Sequence, residues 1–241
     1  MHDNAPATQK KFDEMREALH RQILDAVSHD LKTPLATMIG SLEIYSQMAD
    51  KLTPEKSAML VSTALTEAYR LDNFITNILD MAKLEGEMVK VRAEPTDLRR
   101  LVADCITRLG PKRTLATINS KLIGQETVVS IDPMLLCRAA NLVLENALKH
   151  AGKNPVIDID YGIADNTGFI NVRDHGPGIT EGKEAEIFSK YTRFNRADHQ
   201  NAGTGLGLAI CRLVMKLLSG SIEVRNHLDG GAVFMLKFPA K

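Results

Sequence analysis

Gly203-Thr204-Gly205-Leu206-Gly207-Leu208-Ala209-Ile210 decides how the second half of the chain reads. A glycine-rich loop running straight into an apolar helix presents free N–H groups and the positive end of a helix dipole to a phosphate. Taken alone, the run is equally a glycine turn with a helix cap. Upstream, Phe169-Ile170-Asn171-Val172-Arg173-Asp174 alternates as a strand and leads into His175-Gly176-Pro177-Gly178. A carboxylate at a strand end only accepts hydrogen bonds, which suits the exocyclic amine of a bound adenine, and Gly176 and Gly178 permit close backbone approach and positive φ. In isolation that segment is a turn between strands. Further back, Asn146, Lys149 and His150 share one face of a helical pattern over 133–151. An amide oxygen there can hold Mg²⁺ while a lysine reaches a phosphate; alone they are a solvated polar stripe. The chain order of polar helix, strand with acid and glycines, then glycine loop with helix turns three separate signals into one.

Around these motifs the texture is mixed. Val128–Ile131, 156–161 and 232–238 alternate as strands, and helical patterns over 97–109, 133–151 and 206–218 fall between them, so helices pack on one face of a mixed sheet in an α/β sandwich. Pro95, Gly110-Pro111 and Gly124 punctuate the segments, and residues 88–94 read as a linker. The first half is different. Phe12, Met15, Leu19, Ile23 and Ala26 recur at spacings of three and four, a seam close to a coiled-coil repeat,. Lys51-Leu52-Thr53-Pro54 breaks it, with Thr53 as N-cap and Pro54 at the first helical position of a second helix,. The stripe Ala58, Val61, Leu65, Ala68, Ile75, Leu79, Ala82, broadened by Leu71, Phe74, Ile78 and Met81, is more than one partner helix covers. Doubling the hairpin into a dimeric four-helix bundle buries both faces, so a homodimer through residues 10–86 is expected.

Composition narrows the partners. With 241 residues and 44% hydrophobic content the chain builds a core, and 30 basic against 30 acidic residues argue for neither a nucleic-acid surface nor an anionic membrane. Cys105, Cys137 and Cys211, odd in number and widely spaced, read as reduced thiols packed as small hydrophobes rather than a disulfide framework. No stretch approaches the roughly 18 consecutive apolar residues of a membrane span, and the polar N-terminus has no apolar signal segment. The segment is expected to be soluble and cytoplasmic, which leaves room for a membrane-anchored full-length form. Met1 to Ala7 read as a disordered lead-in.

Within the first half, Ser28-His29-Asp30-Leu31-Lys32-Thr33-Pro34 carries the chemistry. A solitary helical histidine is more often packed or solvated, but His29 has Asp30 beside it. That acid can take the proton of one ring nitrogen, fix the tautomer and leave the other nitrogen as a neutral nucleophile. Pro34 could mark a helix end. The apolar pattern runs on through Leu35, Met38, Ile39, Leu42 and Tyr45, so the expectation is a proline inside a helix, bending it where the histidine must meet another domain.

The residues around His29, Asn146, Asp174, Phe188 and Gly203 resemble the H, N, G1, F and G2 boxes of sensor histidine kinases, and the likeness covers nearly the whole chain from about residue 10. The wording around His29 and Asn146 most resembles the potassium-sensing Kdp kinases. The resemblance implies a dimerisation and histidine phosphotransfer domain over 10–87 and a Bergerat ATP-binding domain over 95–241. It implies ATP and Mg²⁺ as ligands, Asp174 on the adenine with Gly176 and Gly178, Asn146 on Mg²⁺, and Lys149, His150, Gly203, Thr204, Gly205, Leu206 and Gly207 around the phosphates. Residues 187–194 are similar to the F box, with Arg193 among the cofactor-binding residues, and 195–202 would form an ATP lid. Asp30-Leu31-Lys32-Thr33 resembles the family's acid-x-x-threonine phosphatase pattern. The implied reaction is autophosphorylation of His29 from ATP, then transfer to an aspartate of a separate response regulator, with Thr33 serving the reverse hydrolysis.

Two positions depart from the pattern. Leu142 stands where the family usually has a first asparagine and where related ATPases such as gyrase carry a water-activating glutamate; Asn141 lies one residue aside. Glu145 projects about 100° around the helix from Asn146 and reads as surface or a structural contact. Ala232 stands in the last glycine box where threonine is common. The alternatives are a Bergerat ATPase, which Leu142 disfavours, and a nucleotide-binding pseudokinase, which Leu142 and Ala232 suggest.

Overall fold

The computed structural model describes Ser28 and residues 30–86, 88–110, 116–152, 154–190 and 205–241. The seam expected from Phe12 to Ala26, together with His29, Arg193, Gly203 and Thr204, lies outside them. By internal contacts the chain separates into two compact units, divided between Thr76 and Asn77.

In the first unit a helix, α1, covers the described residues 30–48. Pro34 is buried inside it and does not end it. Proline removes one main-chain donor from the helix, and just ahead of it the Thr37 hydroxyl donates to the Thr33 carbonyl at 3.1 Å. A 3-10 turn, Ala49–Lys51, leads to α2, Pro54–Glu85. The N–H of Lys56 donates to Oγ1 of Thr53 at 3.4 Å, the cap expected before Pro54. Ala64 and Phe74 are buried, whereas Leu35, Ile39, Leu42, Val61, Leu65 and Ile75 stay exposed. Tyr45, Ala58, Val61 and Leu65 line a shallow apolar groove. The stripe read from the sequence on α2 is therefore open in a single chain.

The second unit contains β1 (Glu94–Asp97), α3 (Leu98–Arg108), β2 (Thr117–Ile123), β3 (Val128–Ile131), α4 (Pro133–His150), β4 (Val156–Ala164), β5 (Thr167–Asp174), α5 (Gly207–Leu217), β6 (Ser221–Asn226) and β7 (Ala232–Pro239). Five strands form a sheet in the order β2-β4-β5-β7-β6, parallel only between β2 and β4. Strand alternation sorts its faces. Ile159, Val172 and Phe234 lie side by side across β4, β5 and β7, all buried, in one cluster with Leu101, Leu144 and Ile210 of the three helices. The adjacent row, Asp158, Arg173, Val233 and Arg225, belongs to the other face. This is the expected α/β sandwich.

One strand departs from the expectation. Val128–Ile131 does not join the main sheet but pairs antiparallel with Glu94–Asp97 in a two-stranded ribbon. Pro95 cannot donate to a ladder and is tolerated at an edge, so a stretch that looked like punctuation became a strand. The last turns of α2 belong to this unit: Met81 and Leu84 enter its core. Arg138 Nε donates to Asp80 Oδ2 at 2.9 Å, and its Nη2 donates to Asn77 Oδ1 at 2.8 Å. No helix among the described residues is long and apolar enough to cross a membrane.

Candidate active site

α4 begins on Asp132, whose Oδ1 accepts the N–H groups of Met134 and Leu135 at 3.0 and 3.1 Å while Oδ2 accepts that of Arg92 at 2.8 Å. With both ends of that carboxylate engaged, the helix is held at a fixed rotation. Leu136, Ala139, Ala140, Val143 and Ala147 face the core. That rotation leaves Asn146 half-buried and Lys149 and His150 exposed on the last turns, with Glu145 exposed as well.

Asp174 ends β5 on the inward face, 3% exposed. Its Oδ1 accepts the N–H of Gly176 at 2.9 Å and that of Ala232 at 3.2 Å. A buried carboxylate needs such donors, and they come from backbone on two different strands' ends. The glycines make this possible. A Cβ on Gly176 would come within 2.3 Å of the His150 carbonyl oxygen, so the segment after Asp174 lies directly on the end of α4. A Cβ on Gly231, at φ +83°, would come within 1.9 Å of the Asp174 carbonyl oxygen. The structure thus brings Asp174, Gly176 and the end of α4 that carries Asn146, Lys149 and His150 into one place.

Gly205, at φ +65°, precedes the start of α5. Leu206 is buried, 1% exposed, and stands at the N-cap position of the helix, where its hydrocarbon side chain makes no capping hydrogen bond. A Cβ on Gly207 would sit 3.6 Å from Leu142 Cδ2. Leu142, 4% exposed, is therefore a core residue seated beneath the start of α5. Ala232 loses nothing by lacking a hydroxyl in its bond to Asp174, since the backbone makes it.

Asn226, at the end of β6, was not singled out from the sequence. Its Oδ1 accepts the N–H of Ile179 and its Nδ2 donates to the Ile179 carbonyl, both at 2.7 Å. His175 also reaches outward, 2.7 Å from Asp158 Oδ2, while Asn119 donates to the other oxygen at 2.8 Å. Burial opposes the ionised form of Asp158, but these partners, with Arg173 nearby, outweigh it and hold its carboxyl below the usual range,. In the first unit, Asp30 is half-buried and Thr33 exposed on α1. Phe188 is buried in a 3-10 turn, Glu186–Phe188.

Residues 19–87 match the family model of the His Kinase A (phospho-acceptor) domain, and residues 131–241 that of the histidine kinase-, DNA gyrase B-, and HSP90-like ATPases. The chain belongs to the sensor histidine kinases. The sensor protein KdpD of Escherichia coli strain K12 is 32% identical to this kinase over 236 residues, 98% of the chain and 26% of KdpD. The chain spans about a quarter of that relative's length. Among solved structures, histidine kinase ThkA in complex with response regulator protein TrrA is similar at a TM-score of 0.71 and 21% identity, covering 96% of this kinase and 66% of that chain. Full-length ShkA in complex with AMPPNP is similar at 0.64 and 22% identity, covering 90% and 45%. At these identities the structural likeness speaks for the fold.

Proposed function

We propose that this chain is an ATP-dependent protein-histidine kinase core that phosphorylates its own His29 and passes the phosphoryl group to an aspartate of a response regulator. In this reading residues 10–87 dimerise and carry the phosphoryl group, and residues 95–241 bind ATP. The buried Asp174 carries the reading. With Oδ1 occupied by two backbone donors, its remaining oxygen is an acceptor held at a strand end, and an adenine amine is a donor of matching chemistry. Glycines at 176 and 178 let backbone approach the adenine beside Asp174, while the N-terminal N–H groups of α5 and the exposed Lys149 and His150 are of the kinds that receive a polyphosphate. The Asn146 amide oxygen would help hold Mg²⁺, which when bound neutralises phosphate charge during transfer.

His29 supplies the nucleophile, with Asp30 keeping one ring nitrogen protonated and the other free. Thr33 lies one helical turn on, where its hydroxyl would orient water against the regulator's acyl phosphate. The open stripe of the first unit supports a homodimer, and the ThkA complex supports the kind of partner. Hydrolysis of ATP as the main reaction is disfavoured, because Leu142 is hydrocarbon packed on Gly207. The test is incubation with γ-labelled ATP. Label in the protein that survives base and is lost in acid is expected; no incorporation alongside normal nucleotide binding would favour the pseudokinase.

A further inference from the structure

Cys105 on α3 and Cys137 on α4 bring their Sγ atoms to 2.9 Å across 32 residues of chain. Unbonded sulfurs rarely rest so close, and a disulfide is only about 2.05 Å long. Less than about 1 Å of approach separates the pair from a covalent bond. Cys105 is 1% exposed and Cys137 6%, so Cys137 is the more open of the two. Cys211 differs: it is fully buried on α5 and donates to the Ala139 carbonyl at 3.5 Å.

We propose that Cys105 and Cys137 are a dithiol that hydrogen peroxide oxidises to an intramolecular disulfide, stapling α3 to α4. The hydrogen bond from Cys105 holds the Cys137 thiol below the usual range, overcoming burial, whereas that same bond and burial push the Cys105 thiol up. Cys137 is therefore the sulfur that reacts first. Its thiolate attacks peroxide; the O–O bond breaks, leaving a sulfenic acid and hydroxide. The Cys105 sulfur then attacks that sulfur, the S–S bond forms, the S–O bond breaks, and the departing hydroxide takes the Cys105 proton as water. Two thiols and one peroxide become one disulfide and two waters. The staple holds α4, whose far end carries Asn146, Lys149 and His150.

The test treats the reduced full chain with peroxide, then denatures it, blocks remaining thiols with iodoacetamide and digests it for mass spectrometry. A Cys105–Cys137 linked peptide two hydrogens lighter than its reduced parts is expected, with Cys211 alkylated. The melting temperature should rise by roughly 5 °C on oxidation and return with reductant. Cys137→Ala should leave Cys105 and Cys211 alkylatable and abolish the rise. Three alkylated cysteines after peroxide, a link involving Cys211 or a second chain, or sulfinic acid at Cys137 in place of the link would overturn the proposal. The linked peptide in the unsubstituted protein decides the matter even if the variant fails to fold.

Discussion

Asn226 holds Ile179 by both backbone groups, donating to its carbonyl and accepting its N–H at 2.7 Å each. This anchors the turn after Gly178 from a strand 47 residues further along the chain. Losing two neutral hydrogen bonds, here at an exposed position, costs about 1–3 kcal/mol. Asn226→Ala is expected to weaken nucleotide binding about ten-fold, read by calorimetry, while phosphorylation at saturating ATP changes far less. Unchanged affinity would assign the pair to stability alone.

Asp174→Asn separates fold from recognition. The amide oxygen can still accept from Gly176 and Ala232, so thermal stability should stay close to that of the parent. The other oxygen becomes an NH₂ group, which opposes an adenine amine donor to donor. Affinity is expected to fall about ten- to a hundred-fold; calorimetry showing no loss would remove Asp174 from the adenine site.

His29→Gln is expected to abolish incorporation of label while leaving ATP affinity within about three-fold, since less than about 0.7 kcal/mol of binding is at stake. A variant that still incorporates phosphate at the parental rate would move the nucleophile elsewhere.

Thr33→Ala should separate the two directions of phosphoryl flow. Autophosphorylation is expected to be nearly normal, because the hydroxyl has no part in attack by His29. The phosphorylated regulator should live longer with the variant than with the parent. Equal decay would sink the phosphatase role.

Gly231→Ala tests the cradle beneath Asp174. A methyl group 1.9 Å from the Asp174 carbonyl oxygen, at φ +83°, forces backbone movement on both strands. At least about 2 kcal/mol of stability is expected to go, seen as an earlier denaturant midpoint, with nucleotide affinity falling alongside.

Much of this was legible in the residues and some was not. The helices of the second half announced themselves through periodicity, as with the pattern over 133–151 that became α4, whereas its Asp132 cap emerged only in the structure. Central strands such as β5 and β7 alternate because one face is buried, and that burial writes the pattern. β2 has only two half-buried positions, Ile118 and Leu122, because it lies at a sheet edge, so its sequence carries little signal. The same holds for Asn226. A side chain that acts by gripping the backbone of Ile179 is visible only once β6 and the turn after Gly178 are neighbours. Asp174 stood out only in company with the polar helix and the glycine loop, because an acid at a strand end before two glycines is in isolation a turn, and its two donors come from backbone, which sequence does not distinguish.

Leu142, packed against Gly207, bears on what such a kinase does while no signal arrives. In an ATP pocket, a residue able to activate water would drain ATP steadily with nothing to show for it. Hydrocarbon at that position would offer a nucleotide bound there no water-activating group. On the proposed function, a resting state built this way would be silent rather than merely slow, with the γ-phosphoryl group kept for the histidine acceptor.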